Sequence, residues 1–232
     1  MPINYGSIAH TGVDGEVFGS FAPQDVVATG VYARDITDRL RGGASVDFIY
    51  SSYESYTAVA LAANLGLSYY DPDRDLSLAL TLRSMGGPLK RFASRYARLP
   101  FEIQAAYQQG LGHSPFTLSI TLTELQRWSL PYYTTDSDGA QTRRSSFFSN
   151  LWRHITPGIT FSPCSTFWAS LAYSYRMRTD MTPYRRSFLS GFSVGLGMKL
   201  RGFSFGVAFA QPHRAATSLL INFATDIDAL LR

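Results

Sequence analysis

From Asp75 to Leu200 the chain alternates apolar and polar residues over stretches of about nine to twelve residues. Leu76, Leu78, Leu80 and Leu82 alternate with Ser77, Ala79, Thr81 and Arg83. Phe101, Ile103, Ala105 and Tyr107 alternate with Glu102, Gln104, Ala106 and Gln108, and Phe116, Leu118, Ile120 and Leu122 with Thr117, Ser119, Thr121 and Thr123. A period of two puts each set on one face of a β-strand. Strands of a soluble sandwich are usually about half that length, because their core is one sheet spacing thick. Strands of about nine to eleven residues, apolar on one face and small or polar on the other, suit a transmembrane barrel. The pattern therefore predicts an all-β, antiparallel, up-and-down transmembrane β-barrel, with a Tyr-rich soluble β-sandwich as the alternative.

Turn signals divide the chain into about twelve strands. They are expected near 2–10, 16–34, 40–51, 56–70, 75–84, 99–110, 115–126, 157–162, 166–178, 187–200, 203–211 and 217–226, with the second bent at Gly19 and Pro23. Tight turns at Asp35–Arg39, Asp71–Arg74, Leu111–Ser114, Pro163–Ser165 and Arg201–Gly202 alternate with longer connections. The longer ones are Met85–Arg98, Arg127–Thr156, Thr179–Arg186 and Pro212–Ala216, and Ser52–Ser55 is the short exception. Short turns at one rim and long loops at the other describe a barrel with periplasmic and extracellular ends.

The last strands follow the same rule. Phe203, Phe205, Val207 and Phe209 oppose Ser204, Gly206, Ala208 and Ala210, and Phe192, Val194, Leu196, Met198 and Leu200 oppose Ser193, Gly195, Gly197 and Lys199. Phe167, Leu171, Tyr173, Tyr175 and Met177 oppose Ser170, Ala172, Ser174, Arg176 and Arg178 in the same way. The small and polar set is expected to face the interior. Arg83, Glu102, Arg176 and Lys199 belong to it, since each would cost a few kcal/mol (about 2–4) at a lipid-facing midplane position.

Composition narrows the picture. The 232 residues suffice for a single domain, 1–232. Charged residues are 16% and aromatics 14%, with 14 Tyr and 16 Phe, an excess that fits the aromatic girdles of outer-membrane barrels. The greasiest run, Ala58 to Leu67, contains Asn64 and Gly66 and is too short for a helical span. Cys164 is alone, which removes internal disulfides and thiolate metal sites. Met1-Pro2-Ile3-Asn4-Tyr5 does not read as a signal peptide, and Ile3 to Ala9 reads as mid-strand. The expectation is that a signal and the first strands precede this sequence, leaving about twelve strands of an expected fourteen.

Candidate chemistry lies in the loops. Ser145 and Ser146 are placed to cap a short helix to about Ile155. Phe147, Phe148, Leu151, Trp152 and Ile155 share one face of it, with Arg153 and His154 beside them; a helix folded over the barrel mouth is the plainer reading, a binding helix the sharper one. Trp128, Tyr132 and Tyr133 read as interface anchors, with Trp128 also available to a partner. The long-loop rim collects Lys90, Arg91, Arg95, Arg98, Arg127, Arg143, Arg144, Arg153, Arg185, Arg186 and Arg214, whereas the short-turn rim is acidic. Arginine grips phosphate bidentately, so this rim, above all Lys90, Arg91, Arg95, Arg143 and Arg144, is expected to face lipopolysaccharide. Nucleic acid is a poor partner for a net charge of only +4 spread round a rim.

Other motifs carry less. Asp71-Pro-Asp-Arg-Asp75 lacks the sixth-position Gly and distal Glu of a calcium loop and reads as a polar turn. Gly195-Leu-Gly197 lies within a strand and opens no helix, so it is no dinucleotide fingerprint. His10, His113, His154 and His213 lack ligand spacing and are expected to be mostly solvated. No serine occupies a nucleophile motif. No catalytic residue, metal or cofactor is expected.

Several segments resemble the PorQ family of the type IX secretion system. They are Leu99-Pro-Phe-Glu-Ile-Gln104, His113-Ser-Pro-Phe-Thr-Leu-Ser-Ile-Thr-Leu122, Leu125-Gln-Arg-Trp128, Tyr50-Ser-Ser-Tyr-Glu-Ser-Tyr56, and Phe147-Phe148 leading into Arg153-His154. The resemblance runs from about Tyr5 to Phe223. It implies a FadL- and PorV-like barrel in the Gram-negative outer membrane of Bacteroidetes, with a non-catalytic role. It also implies a PorZ-like surface partner, in an attachment complex with PorV and the sortase PorU that joins cargo to anionic lipopolysaccharide. Trp128, Phe148 and Trp152 are the expected partner contacts. A FadL-like transporter of hydrophobic compounds, opened at the Gly19–Pro23 break, is the alternative function. The C-terminal Asp228-Ala-Leu-Leu-Arg232 departs from the terminal aromatic expected of such barrels.

Overall fold

The structure is a computed structural model and describes residues 2–54, 56–90, 99–130, 132–135, 141–144, 146–180, 189–200, 202–213 and 216–225. The chain divides into two compact units, Met1–Ser68 with Leu80–Ile103, and Tyr69–Ala79 with Gln104–Arg232. Sixteen strands and two short helices are present among the described residues. Twelve of the strands form one antiparallel meander sheet. No described helix is long and apolar enough to cross a membrane, which says nothing of strands.

The first unit carries β1 (Pro2–Asn4), β2 (Ile8–Thr11), β3 (Val17–Phe21), β4 (Gln24–Thr37), β5 (Leu40–Tyr53), β6 (Tyr56–Asp71) and β7 (Leu76–Lys90), the tips of β6 and β7 counting with the second. The expected strand 2–10 is two pieces. Gly6, at φ 78°, interrupts it, and its N–H donates to Asn4 Oδ1 at 2.8 Å. β1 then pairs with β4 and β2 with β3. The expected bend at Gly19–Pro23 is a full break, since Pro23 has no N–H for a ladder. The Pro23 carbonyl instead accepts from the Tyr5 N–H at 3.1 Å. Beside it, the Asp25 carboxylate accepts from the hydroxyls of Tyr5 (2.7 Å) and Tyr53 (3.0 Å). The bond to Asp25 holds the Tyr5 phenol far above its usual range, because losing the proton would set two anions together.

β7 runs past the expected end at 84. Ser84 adopts the left-handed region (φ 55°), and its N–H leaves the ladder for Asn64 Oδ1 at 2.8 Å. The strand then resumes, so 85–90 are strand and not loop. Gly86 permits this: a Cβ there would lie 2.0 Å from the Leu61 carbonyl oxygen. Asn64 also donates to Ser45 Oγ (2.9 Å) and Asp47 Oδ2 (2.7 Å), and Thr29 donates to Asp47 (2.7 Å). Four strands of this unit are thus joined through polar side chains.

The second unit carries β8 (Glu102–Gly110), β9 (Phe116–Leu122), β10 (Tyr132–Thr135), β11 (Gln141–Arg144), α1 (Phe147–His154), β12 (Ile155–Cys164), β13 (Phe167–Tyr173), α2 (Tyr175–Asp180), β14 (Phe192–Leu200), β15 (Phe203–His213) and β16 (Ala216–Thr225). The expected strand 166–178 ends early at Tyr173. Its last part winds into α2, where the Arg178 N–H donates to the Ser174 carbonyl. Arg176 is therefore a helix residue, not a strand residue facing an interior.

Register shows where the apolar positions go. Leu118, Ile159, Leu171, Val194, Phe209 and Leu219 stand opposite one another in six successive strands. Phe116, Phe161, Ala169, Leu196, Val207 and Ile221 form a parallel row. Among the described residues this face has no cover: Leu196 is 49%, Phe205 48% and Ile221 71% exposed. The opposite face sets Ser119, Gly158, Ala172, Ser193, Ala210 and Ser218 in line. There the Trp168 ring lies over Gly197, where a Cβ would come within 2.2 Å of it.

Burial is accordingly inverted. Among the described residues the buried hydrophobics are Ala62 and Leu130, whereas Asp71, Asn150, Arg153, His154 and Ser190 are buried polar residues. A water-soluble fold gains about 1.5–3 kcal/mol from hiding each large apolar side chain, and this sheet hides few of them. The strand order runs from β1 to β16, and these two do not pair with each other. Among the described residues the sheet is thus not closed into the expected barrel.

Candidate functional site

The site is built in the second unit where the chain leaves β9 and returns as β12. Glu124, in the left-handed region (φ 57°), turns the chain, with the Arg127 N–H donating to its carbonyl at 3.0 Å. Trp128 follows. The chain comes back through α1, which begins after Ser146 and passes directly into β12 at Ile155. Ser146 holds the N-cap position in an extended conformation, but its side chain makes no capping bond. The expected hydroxyl cap is absent at Ser146, and Ser145 lies outside the described residues. A backbone bond starts the helix instead, from the Asn150 N–H to the Ser146 carbonyl at 2.8 Å.

α1 turns its polar side inward. Asn150, Arg153 and His154 are buried, with Arg153 at 3% and His154 at 2% exposure. Their spacing of three and four residues places them on one stripe. Arg153 reaches α2, donating to Asp180 at 2.5 Å and to the Thr179 hydroxyl. Arg176 of α2 pairs with Asp180 at 3.5 Å and with Glu124 at 3.1 Å, so charges alternate from α1 through α2 to the turn after β9. The two ring nitrogens of His154 face the carbonyl oxygens of Thr123 (2.7 Å) and Trp128 (3.1 Å). His154 is therefore a buried structural residue and not the solvated one its isolation in the sequence suggested. Arg153 likewise is an internal ion-pair partner and no part of a lipopolysaccharide-facing rim.

The apolar side faces out. Phe147, Phe148 and Trp152 are 62%, 70% and 53% exposed, and Trp128 is 50% exposed. Trp128 stacks on His154 with ring centres 5.3 Å apart and meets Phe147 at 5.5 Å; Phe147 meets Phe148 edge-on at 5.7 Å. Trp128 and Phe148, separate expectations from the sequence, are thus joined through Phe147. Trp152 follows Phe148 by one helical turn. The result is an uncharged aromatic platform over a charged, hydrogen-bonded base. It can bind an apolar surface.

The basic-rim residues are only partly visible. Lys90 is exposed at the end of β7, with its ammonium donating to the Thr57 hydroxyl at 2.5 Å. Arg143 and Arg144 lie in β11, opposite Tyr133 and Tyr132 of β10. Arg91 and Arg95, like Arg98, Arg185, Arg186 and Arg214, fall outside the described residues. Asp180, Arg176 and Glu124 were missed as site residues. Pattern reading assigned Arg176 to a strand, and nothing in linear spacing brings residues 124, 153 and 180 together.

No protein-family model matches the chain, and no curated protein matches it significantly.

Proposed function

We propose that this chain is a non-catalytic outer-membrane component of a type IX protein secretion system, a barrel wall whose α1 platform anchors a PorZ-like surface partner. The observation that carries the membrane reading is the exposed apolar face of β12–β16, whose rows of Leu, Ile, Val and Phe have no cover among the described residues. Hydrocarbon in contact with that face would remove its cost in water. The opposite face, mostly of Ser, Thr, Ala and Gly with Trp168, Lys199, Leu220 and Asn222 among them, suits a barrel interior. Closure would join the edges of β1 and β16, directly or through further strands, and leave no open edge. The resemblance to PorQ proteins in Leu99–Gln104, His113–Leu122 and Leu125–Trp128 supports the secretion context. The exposed platform of Trp128, Phe148 and Trp152 supports the partner role, with lipopolysaccharide at the basic residues Lys90, Arg91, Arg95, Arg143 and Arg144.

A FadL-like transporter of hydrophobic compounds is the second reading. It is favoured by a groove of about 380 Å³ on the small-residue face, lined by Trp168, Gly206, Leu220 and Asn222 among others.

Cross-linking mass spectrometry in native outer membranes separates them. Cross-links from 127–156 to a large surface secretion component are expected. Membrane recovery without such a partner moves the assignment to the transporter, and recovery in the aqueous fraction without detergent defeats both.

A further inference from the structure

We propose that the Arg153–Asp180 ion pair is a clamp that fixes which face of α1 is presented, making Asp180 and Arg176 positioning residues for the aromatic platform; its relevance to binding rests on the docking role proposed above. An amphipathic helix on a protein normally buries its apolar stripe. α1 does the reverse, leaving Phe147, Phe148 and Trp152 more than half exposed while Arg153 is 3% exposed. An arrangement that forgoes apolar burial needs a polar attachment strong enough to hold it.

The attachment is specific. The Arg153 side chain is 2% exposed and binds the carboxylate of Asp180 at 2.5 Å. Asp180 is shared with Arg176, which extends the chain of charges to Glu124 at 3.1 Å, four residues before Trp128. One network thus ties together α1, α2 and the turn that carries Trp128, the three pieces on which the platform depends. α2 has only six residues and is too short to persist by itself. Its contact with Arg153 therefore orders α2 as much as α1. With the Asp180 charge removed, Arg153, whose side chain is 2% exposed, keeps the Thr179 hydroxyl but loses the ion pair to Asp180. The accessible relief is the release of α1 from its seat, which brings Arg153 to water, loosens the helix's backbone hydrogen bonds and leaves Phe148 and Trp152 without a fixed orientation. The platform disappears in that state although every platform residue is intact.

The test is amide hydrogen exchange of residues 147–154 in the full chain held in outer-membrane vesicles, with partner capture read in parallel. Asp180→Asn should speed exchange across this segment on the order of a hundred-fold and abolish capture. Asp180→Glu, which keeps the charge, should stay near the wild type. The paired variant Arg153→Met with Asp180→Leu removes both charges together and should return exchange to within a few-fold of the wild type. Exchange in the strands β9 and β12 controls for general unfolding. Unchanged exchange in Asp180→Asn, or a paired variant that exchanges as fast as Asp180→Asn, overturns the clamp. Faster exchange with capture intact upholds the clamp and removes the docking role instead.

Discussion

The β14–β16 sheet and the helix α1 both turn large apolar side chains outward, but for different reasons. In the sheet the direction is fixed locally. Phe203, Phe205, Val207 and Phe209 alternate with Ser204, Gly206, Ala208 and Ala210, and a pleated strand must put the two sets on opposite faces. In α1 the direction is fixed at a distance, by Asp180 holding Arg153 and by two backbone carbonyls holding His154. The sheet would keep its pattern if any one side chain were lost. The helix depends on a few polar contacts, so it is where single substitutions should reorganise structure.

The largest effect should come from charging the sheet's outward face. On the proposed membrane reading, Val207→Arg is expected to destabilise the protein in lipid by about 2–4 kcal/mol, whereas Ala208→Arg on the small-residue face should cost clearly less. Urea unfolding in lipid vesicles measures both, and equal costs would break the assignment of faces. Next is Gly197→Val, expected to cost about 1–3 kcal/mol because its side chain must displace the Trp168 ring. The clash is steric, so Trp168→Ala should recover much of that loss in the same unfolding assay. His154→Phe should cost a similar or smaller amount, about 1–3 kcal/mol, by removing the ring N–H donor that sits between the Thr123 and Trp128 carbonyls. Tryptophan emission should report the loss of the Trp128 stack. An unchanged unfolding midpoint and spectrum would mean that the ring's hydrogen bonds contribute nothing. The smallest effect on stability belongs to Phe148→Ser, within about 0.5 kcal/mol for a side chain so exposed. Its expected consequence is weaker partner capture, read by pull-down, with the fold unchanged by circular dichroism.

Much of the strand plan was legible because a period of two is a local property. The expected strands at 40–51, 56–70, 203–211 and 217–226 match β5, β6, β15 and β16 to within a few residues, whereas the one expected at 115–126 stops at Leu122, before the turn at Glu124. Differences arise where one residue's backbone or side chain overrides the pattern. Gly6 splits the first strand, Pro23 divides the second, and Ser84 kinks β7 without ending it because Asn64 takes up its N–H. The 174–178 segment reads as alternating by hydropathy yet winds into α2, which hydropathy alone does not reveal.

For the site, the sequence by itself pointed to a short amphipathic helix ending near Ile155, with Phe148 and Trp152 on one of its faces, and the structure places it at Phe147–His154; that Trp128 stands beside it came only from the fold. Periodicity requires no knowledge of distant residues. It could not determine which face of that helix is hidden. That depends on Asp180 and Glu124 arriving beside Arg153 and Arg176 from other parts of the chain, and only the tertiary structure brings them together. The same division holds for the sheet: alternation separates an apolar face from a small one, and the tertiary arrangement leaves the apolar face uncovered.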